Sequence, residues 1–236
     1  MLDLLYPSFC ALCRRSLNHG QSLCQGCRHD LPPIADPFCE SCGEAFFGKI
    51  DGPFECPNCS GLSFSFAFAR PALLRDDRTL DLIHRLKYGR EIHLGHELGS
   101  LAELAFADPR LAPALEGAWP LVPVPLHRSR LRERHFNQAE EIALPLSRLT
   151  GCPVLHALRR TRSTDTQTLL TRRQRMDNLR GAFSITRSGR DFIARQAQGA
   201  VLIDDVLTTG STVNECAKTL RKAGFKKIFV VTVMRG

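Results

Sequence analysis

VLIDDVLTTGST, Val201 to Thr212, is an apolar run that ends in two adjacent acids and then a Thr/Gly turn opening the next helix. In an open α/β sheet the carboxyl end of a strand is where ligands sit. The turn Thr208, Thr209, Gly210, Ser211 and Thr212 can aim consecutive backbone N–H groups and hydroxyls at a phosphate, and the helix N-terminus behind it favours the anion. Gly210 lets the backbone close around such a group. Asp204 and Asp205 repel phosphate; carboxylates in that place suit sugar hydroxyls or a Mg2+ bridge. A ribose phosphate satisfies both halves. A plain helix N-cap, worth about 1 kcal/mol, would leave the two acids unexplained. The sequences G-x-x-x-x-G-K-[ST] and G-x-G-x-x-G are both absent, which argues against an ATPase or a dinucleotide site.

Outward from this stretch, strand and helix patterns alternate. FSFAFARPALL, with aromatics at 64, 66 and 68, reads as a half-buried strand, and TLDLIHRLKY and HLGHELGSLAEL read as helices. WPLVPVPL then reads as a strand, FNQAEEIALPLSRL as a helix, PVLHAL and GAFSI as strands, GAVLIDD as a strand, STVNECAKTLRKAG as a helix ended by Gly224, and KKIFVVTVM as a closing strand. This order predicts an α/β fold, a mainly parallel sheet with helices on both faces. Between Arg159 and Gly181 the chain is polar and rich in Arg and Thr, the composition of a long functional loop.

The first 60 residues differ. Eight of the ten cysteines form four C-x2-C pairs, Cys10/Cys13, Cys24/Cys27, Cys39/Cys42 and Cys56/Cys59. Two such knuckles complete a tetrahedral site of four thiolates, so two structural zinc ions are implied. Pairing neighbours puts Cys10, Cys13, Cys24 and Cys27 on one ion and the other four on the second; a cross-brace would close longer loops at greater entropic cost. Disulfides are the rival reading, opposed by the lack of a secretion signal. A redox C-x2-C is another, opposed by four copies outside any βαβ pattern. So short a segment buries too little apolar surface to fold securely alone, and metal supplies much of its folding energy. His19 and His29 read as bystanders, and Cys152 and Cys216 as small buried residues. The domain boundary is placed between residues 62 and 63.

The chain of 236 residues is 43% apolar and 24% charged, near ordinary globular values, which excludes a disordered or fibrous protein. Its most apolar stretch, Leu62 to Leu74, is interrupted by Arg70 and Pro71 and is too short to span a membrane. MLDLLYPSF lacks the basic flank of a signal peptide, so a cytoplasmic location is expected. The net charge of +8 is unevenly placed. Residues 1–66 carry four Lys or Arg against seven Asp or Glu, whereas 127–187 carry thirteen Arg, no Lys and five acids. Either the Arg segment is a solvated helix face, or it contacts a polyanion, a phosphorylated small molecule or nucleic acid.

With these segments in view, VLIDDVLTTGST resembles the 5-phosphoribosyl-1-diphosphate (PRPP) motif of type I phosphoribosyltransferases. LKYG at 86–89, VPVPL with RHFNQAE between Val122 and Glu140, and RRTRSTDTQTLLTRRQRMDNLRGAF at 159–183 resemble the ComF family, a double zinc ribbon joined to a phosphoribosyltransferase-like domain. The resemblance spans essentially the whole chain. It implies that Asp204 and Asp205 hold the ribose hydroxyls and that Thr208, Thr209, Gly210, Ser211 and Thr212 cradle the 5-phosphate. The turn from Leu126 to Arg130, with Arg128 and Arg130, would take the diphosphate with its Mg2+, and Thr164 to Arg175 would be a loop over the site. Where the family reads RGFNQ, this chain has His135 in place of Gly; His tolerates the left-handed region better than most residues. The resemblance further implies DNA uptake or use of external DNA, with PRPP, single-stranded DNA and uptake proteins such as a translocation helicase or recombination mediator as partners. Two other readings stand beside it: a nucleobase-salvage or regulatory phosphoribosyltransferase, and a nucleic-acid-binding module. The acidity of the cysteine-rich segment weighs against the last.

Overall fold

The computed structural model describes residues 8–18, 20–162, 178–195 and 198–236. The expected loop at 164–175 and the bystander His19 lie outside them. The N-terminal segment contains a minimal antiparallel pair, β1 (Ser8–Phe9) with β2 (Ser16–Leu17), and a single helical turn and a half, α1 (Gln25–His29). The rest alternates: β3 (Phe68–Leu73), α2 (Asp77–Tyr88), α3 (His93–Ala102), α4 (Ala112–Glu116), β4 (Leu121–Pro123), α5 (Arg128–Arg134), α6 (Gln138–Thr150), β5 (Leu158–Arg160), β6 (Phe183–Ile185), α7 (Arg187–Ile193), β7 (Gly199–Leu207), α8 (Ser211–Ala223) and β8 (Lys227–Arg235).

The main sheet runs β3-β8-β7-β4, and all three of its pairings are parallel. Residues along β7 alternate between two cores, as a strand covered on both faces requires. Val201 and Ile203 face Leu82, Ile83 and Leu86 of α2, Leu94 and Leu98 of α3, and Ile142 of α6. Ala200 and Leu202 face Val213, Cys216, Ala217 and Leu220 of α8. Cys152 and Cys216 are fully buried, one in each core. Helices α3 and α6 meet closely at Gly99, where a Cβ would fall 2.3 Å from Pro145 Cγ. Asp76 caps α2 by accepting from Thr79 N, and Gly224 closes α8. Among the described residues no helix is long and apolar enough to cross a membrane.

Two strand expectations are corrected. Phe64 and Phe66 precede β3: pairing with β8 starts at Phe68 opposite Phe229, and Ser65 gives its N–H to Asn214 Oδ1 of α8 at 2.6 Å instead of to a strand. PVLHAL contributes one bridge, Val154 to Leu121. Leu121 gives its N–H to Pro153 O and takes that of Leu155; the next donor on that edge would be residue 123, a proline with none to give. Leu158–Arg160 instead pairs antiparallel with β6.

The cysteine-rich segment is joined to the edge of β3. Ile34 N donates to Ala72 O, Leu74 N to Pro32 O, and Ala69 N to Ser41 O. Its first cysteine cluster belongs to the core under α2 and α3, its second to the core under α8.

Candidate functional site

β7 carries Asp204 and Asp205 near its carboxyl end and runs to Leu207; Thr208 to Gly210 turn the chain, and α8 starts at Ser211. Gly210 stands at the N-cap with φ 74°, a left-handed conformation that suits glycine. It has no side chain with which to cap α8, so the first-turn N–H groups are the donors an anion would take. Thr209 Oγ1 and Ser211 Oγ lie 2.9 Å apart, which brings two hydroxyls to the same turn.

The two acids have unlike surroundings. Asp205 is buried and its Oδ2 lies 2.7 Å from Lys87 Nζ, which α2 delivers from LKYG. Asp204 accepts the Asp205 N–H at 3.0 Å, and burial together with the neighbouring Asp205 charge pushes its carboxyl up to about 7. Arg160, Arg130 and Cys216 complete the surroundings. Burial, then the charge of Arg130, holds the Arg160 guanidinium below its usual range, while Asp204 works the other way. Burial and the Asp204 charge push the Cys216 thiol up, which leaves it an inert packing residue.

The expected diphosphate turn is largely helical: His127 Nδ1 accepts from Ser129 N at 3.3 Å, and α5 begins at Arg128, which is exposed. Arg130 is half-buried. His135 ends α5 with φ 69° and is exposed, so the position requires a left-handed residue and a histidine meets the requirement. The RHFNQ segment has local work. Asn137 caps α6 and donates from Nδ2 to Val124 O at 3.1 Å, while Arg134 donates to Gln138 Oε1 at 3.0 Å and lies 5.2 Å from the Tyr88 ring centroid. LKYG, VPVPL and RHFNQ thus meet beside the acids.

Cys10, Cys13, Cys24 and Cys27 form one cluster and Cys39, Cys42, Cys56 and Cys59 the other; within each, the four sulfurs lie within 4.8 Å of one another. Backbone N–H groups point at sulfur: Cys24 N to Cys10 Sγ at 3.4 Å, and Cys56 N to Cys39 Sγ at 3.3 Å. In the second cluster the Cys42 side chain and backbone N–H groups, against burial, hold the Cys39 thiol down to about 4, while burial pushes Cys59 up to about 12. Bringing all four to thiolate needs a cation, and four sulfurs at this spacing suit tetrahedral zinc.

Arg235, at the end of β8, donates from Nη1 to Leu207 O at 2.7 Å and Thr208 O at 2.8 Å, and its Nη2 lies 2.6 Å from Glu44 of the cysteine-rich segment. Lys87, Arg160 and Arg235 are residues that sequence reading did not assign to the site. Lys87 had a signal in LKYG; Arg235 had none, since its partners on the turn are backbone carbonyls.

The double zinc ribbon domain family matches residues 1–60 and the phosphoribosyl transferase domain family residues 137–236. Competence protein F of Haemophilus influenzae is 32% identical over 225 residues, 94% of either chain. The DNA utilization protein YhgH of Escherichia coli K12 is 31% identical over 98% of this chain and 99% of its own, and that of Salmonella typhimurium 30% over 99% and 93%. A motif-bearing α/β domain, two four-cysteine clusters and end-to-end similarity place this chain in the ComF family.

Proposed function

We propose that this protein binds PRPP and acts in DNA uptake or the use of external DNA. The observation that carries the reading is the turn Thr208–Thr212, opening α8 behind a left-handed Gly210, directly after a pair of acids of which one is held by Lys87. The 5-phosphate takes the turn, the ribose hydroxyls take Asp204 and Asp205, and the diphosphate with its Mg2+ takes Arg128 and Arg130. Lys87 neutralises Asp205 until ligand arrives. The role in DNA handling rests on the names of the relatives, competence protein F and DNA utilization protein, and on the arginines of 127–187, which suit a phosphate backbone. The zinc-ribbon segment and the α/β domain divide near residues 62 and 63.

PRPP with Mg2+ is expected to raise the melting temperature, because it binds only the folded chain. Asp205→Asn should remove the shift and also lower the unliganded melting point by a few degrees, since it leaves Lys87 partly buried beside a neutral amide. A salt-dependent affinity for single-stranded DNA that PRPP weakens supports the DNA role. No melting shift at millimolar PRPP, or diphosphate release with a free nucleobase and no DNA binding at low salt, overturns it.

A further inference from the structure

The arginine segment 127–187 contains two Phe and no Tyr or Trp, and both of them, Phe136 and Phe183, are buried. The ring that this segment lacks comes from α2. Tyr88, the last residue of that helix, is 67% exposed, and Gly89 and Arg90 after it are exposed as well. The Arg134 guanidinium lies over the Tyr88 ring, 5.2 Å from its centroid, and His84, one helical turn back, meets the ring at an interplanar angle of 69°. A guanidinium within about 6 Å of a ring face is attracted by the ring quadrupole. Arg134 thus holds the ring in place and leaves most of it open. Helix α5, which carries Arg134, reads RSRLRER, four arginines with one acid, Glu133. Arg130 and Arg134 stand four residues apart and so share a helix face. At one end of that face the Arg130 charge acts on Arg160, which lies near Asp204; at the other Arg134 meets Tyr88. A row of guanidiniums therefore runs from the acids to an exposed ring.

We propose that Tyr88 stacks on one base of a single DNA strand whose phosphates follow the arginines of α5 toward the acids. The proposal rests on the DNA reading above and deepens it, since it names the surface that takes the strand. Every base has a π-face, and in a single strand that face is open, whereas in a duplex the neighbouring bases cover it. Arg134, beside the ring, takes a phosphate of the stacked nucleotide. Arg130 is where the strand and the diphosphate of PRPP meet, so PRPP weakens the strand without touching the ring. PRPP carries no base, and Tyr88 offers it nothing. The ring therefore supplies what an arginine patch lacks, a contact that distinguishes a base-bearing strand from a bare polyanion.

The full zinc-loaded chain is titrated at two salt concentrations with a short oligothymidylate, an abasic strand of equal length and a duplex of equal length. Tyr88→Leu removes the flat ring and keeps apolar bulk, and Tyr88→Phe keeps the ring; zinc content and melting temperature establish that each is folded. The parent protein is expected to bind the oligothymidylate more tightly than the abasic strand. Tyr88→Leu should weaken the oligothymidylate on the order of 10-fold and leave the abasic strand and the duplex unchanged, while Tyr88→Phe stays near the parent. Arg134→Gln should weaken the oligothymidylate and the abasic strand alike and lower the salt slope by about 1. Equal affinity of the parent for oligothymidylate and abasic strand, or an oligothymidylate affinity unchanged in Tyr88→Leu, overturns the proposal. So does a PRPP melting shift lost in Tyr88→Leu, which would make Tyr88 part of the PRPP site. A parent protein that binds strands without regard to bases loses the platform and keeps the DNA reading; one that binds no strand at low salt loses both.

Discussion

The two cysteine clusters have the same ligands and the same knuckles, yet they are set into different material. In the first, Cys13 is exposed and Cys27 half-buried, and the attachments include the Arg28–Glu97 ion pair and the donations from Arg85 to Ala11 O and from Arg78 to Asp30 O. In the second all four cysteines are buried, next to Phe66, Leu207 and the helix α8 core. Each reaches the acids and turn by one basic side chain. The first does so indirectly, since α2 carries both Arg85 and, two residues later, Lys87. The second does so through Arg235, which ties Glu44 to the carbonyls of Leu207 and Thr208. Identical chemistry thus gives an outer brace in one place and part of the site's foundation in the other.

The largest expected effect follows from burial. Cys56→Ser should release the second zinc and leave thiols in a closed core, costing on the order of 4 kcal/mol and lowering the melting temperature by about 10 °C or more. Cys13→Ser, at an exposed ligand where water can replace sulfur, should cost about 1–2 kcal/mol. Thermal unfolding with zinc analysis decides it, and equal losses would break the comparison.

A smaller effect tests the connections. Arg235→Met removes the tie between Glu44 and the turn, and should cost about 2 kcal/mol and weaken PRPP about 10-fold. Arg28→Ala leaves the buried Glu97 carboxylate without its cation and should cost about 1–2 kcal/mol with PRPP affinity unchanged. Calorimetric titration of both variants is the measurement; a PRPP loss in Arg28→Ala would make the first cluster as much a part of the site as the second.

What the sequence made legible follows the same divide between local and distant causes. β7, α8 and β8 were readable because period and turn chemistry are local, and the grouping of cysteines because short spacings dominate loop closure. The aromatic alternation at Phe64 and Phe66 was misleading: it has the strand period, but the Ser65 N–H between the two rings goes to the Asn214 side chain of α8 rather than to a strand. The PVLHAL strand failed on one missing proline N–H in a neighbouring strand. Lys87 and Arg235 depend on partners far along the chain, and the contacts of Arg235 on the turn are carbonyls, which every residue has.

The smallest effect concerns the acid that neither brace reaches directly. Lys87 pairs with Asp205, and Asp204, raised to about 7 by burial and then by Asp205, is protonated in the folded chain at pH values where an unfolded Asp is ionised. The folded state holds the extra proton between about 4 and 7, so the stability it contributes is present below the unfolded value near 3.9 and is lost as pH rises through 7. Asp204→Asn cannot ionise. It should come closest to the parent protein near pH 4 and gain on it as pH rises to 8, where the parent holds a charged carboxylate in a half-buried place, by about 1 kcal/mol after solvent screening. Ligand binding should run the opposite way: if Asp204 meets ribose and Mg2+ as the anion, PRPP affinity falls as pH drops below about 7 and levels off above it. Melting curves of both proteins at several pH values, with and without PRPP, give both slopes. A stability difference that does not change with pH would mean that Asp204 is ionised throughout, and that Lys87 serves the two acids together.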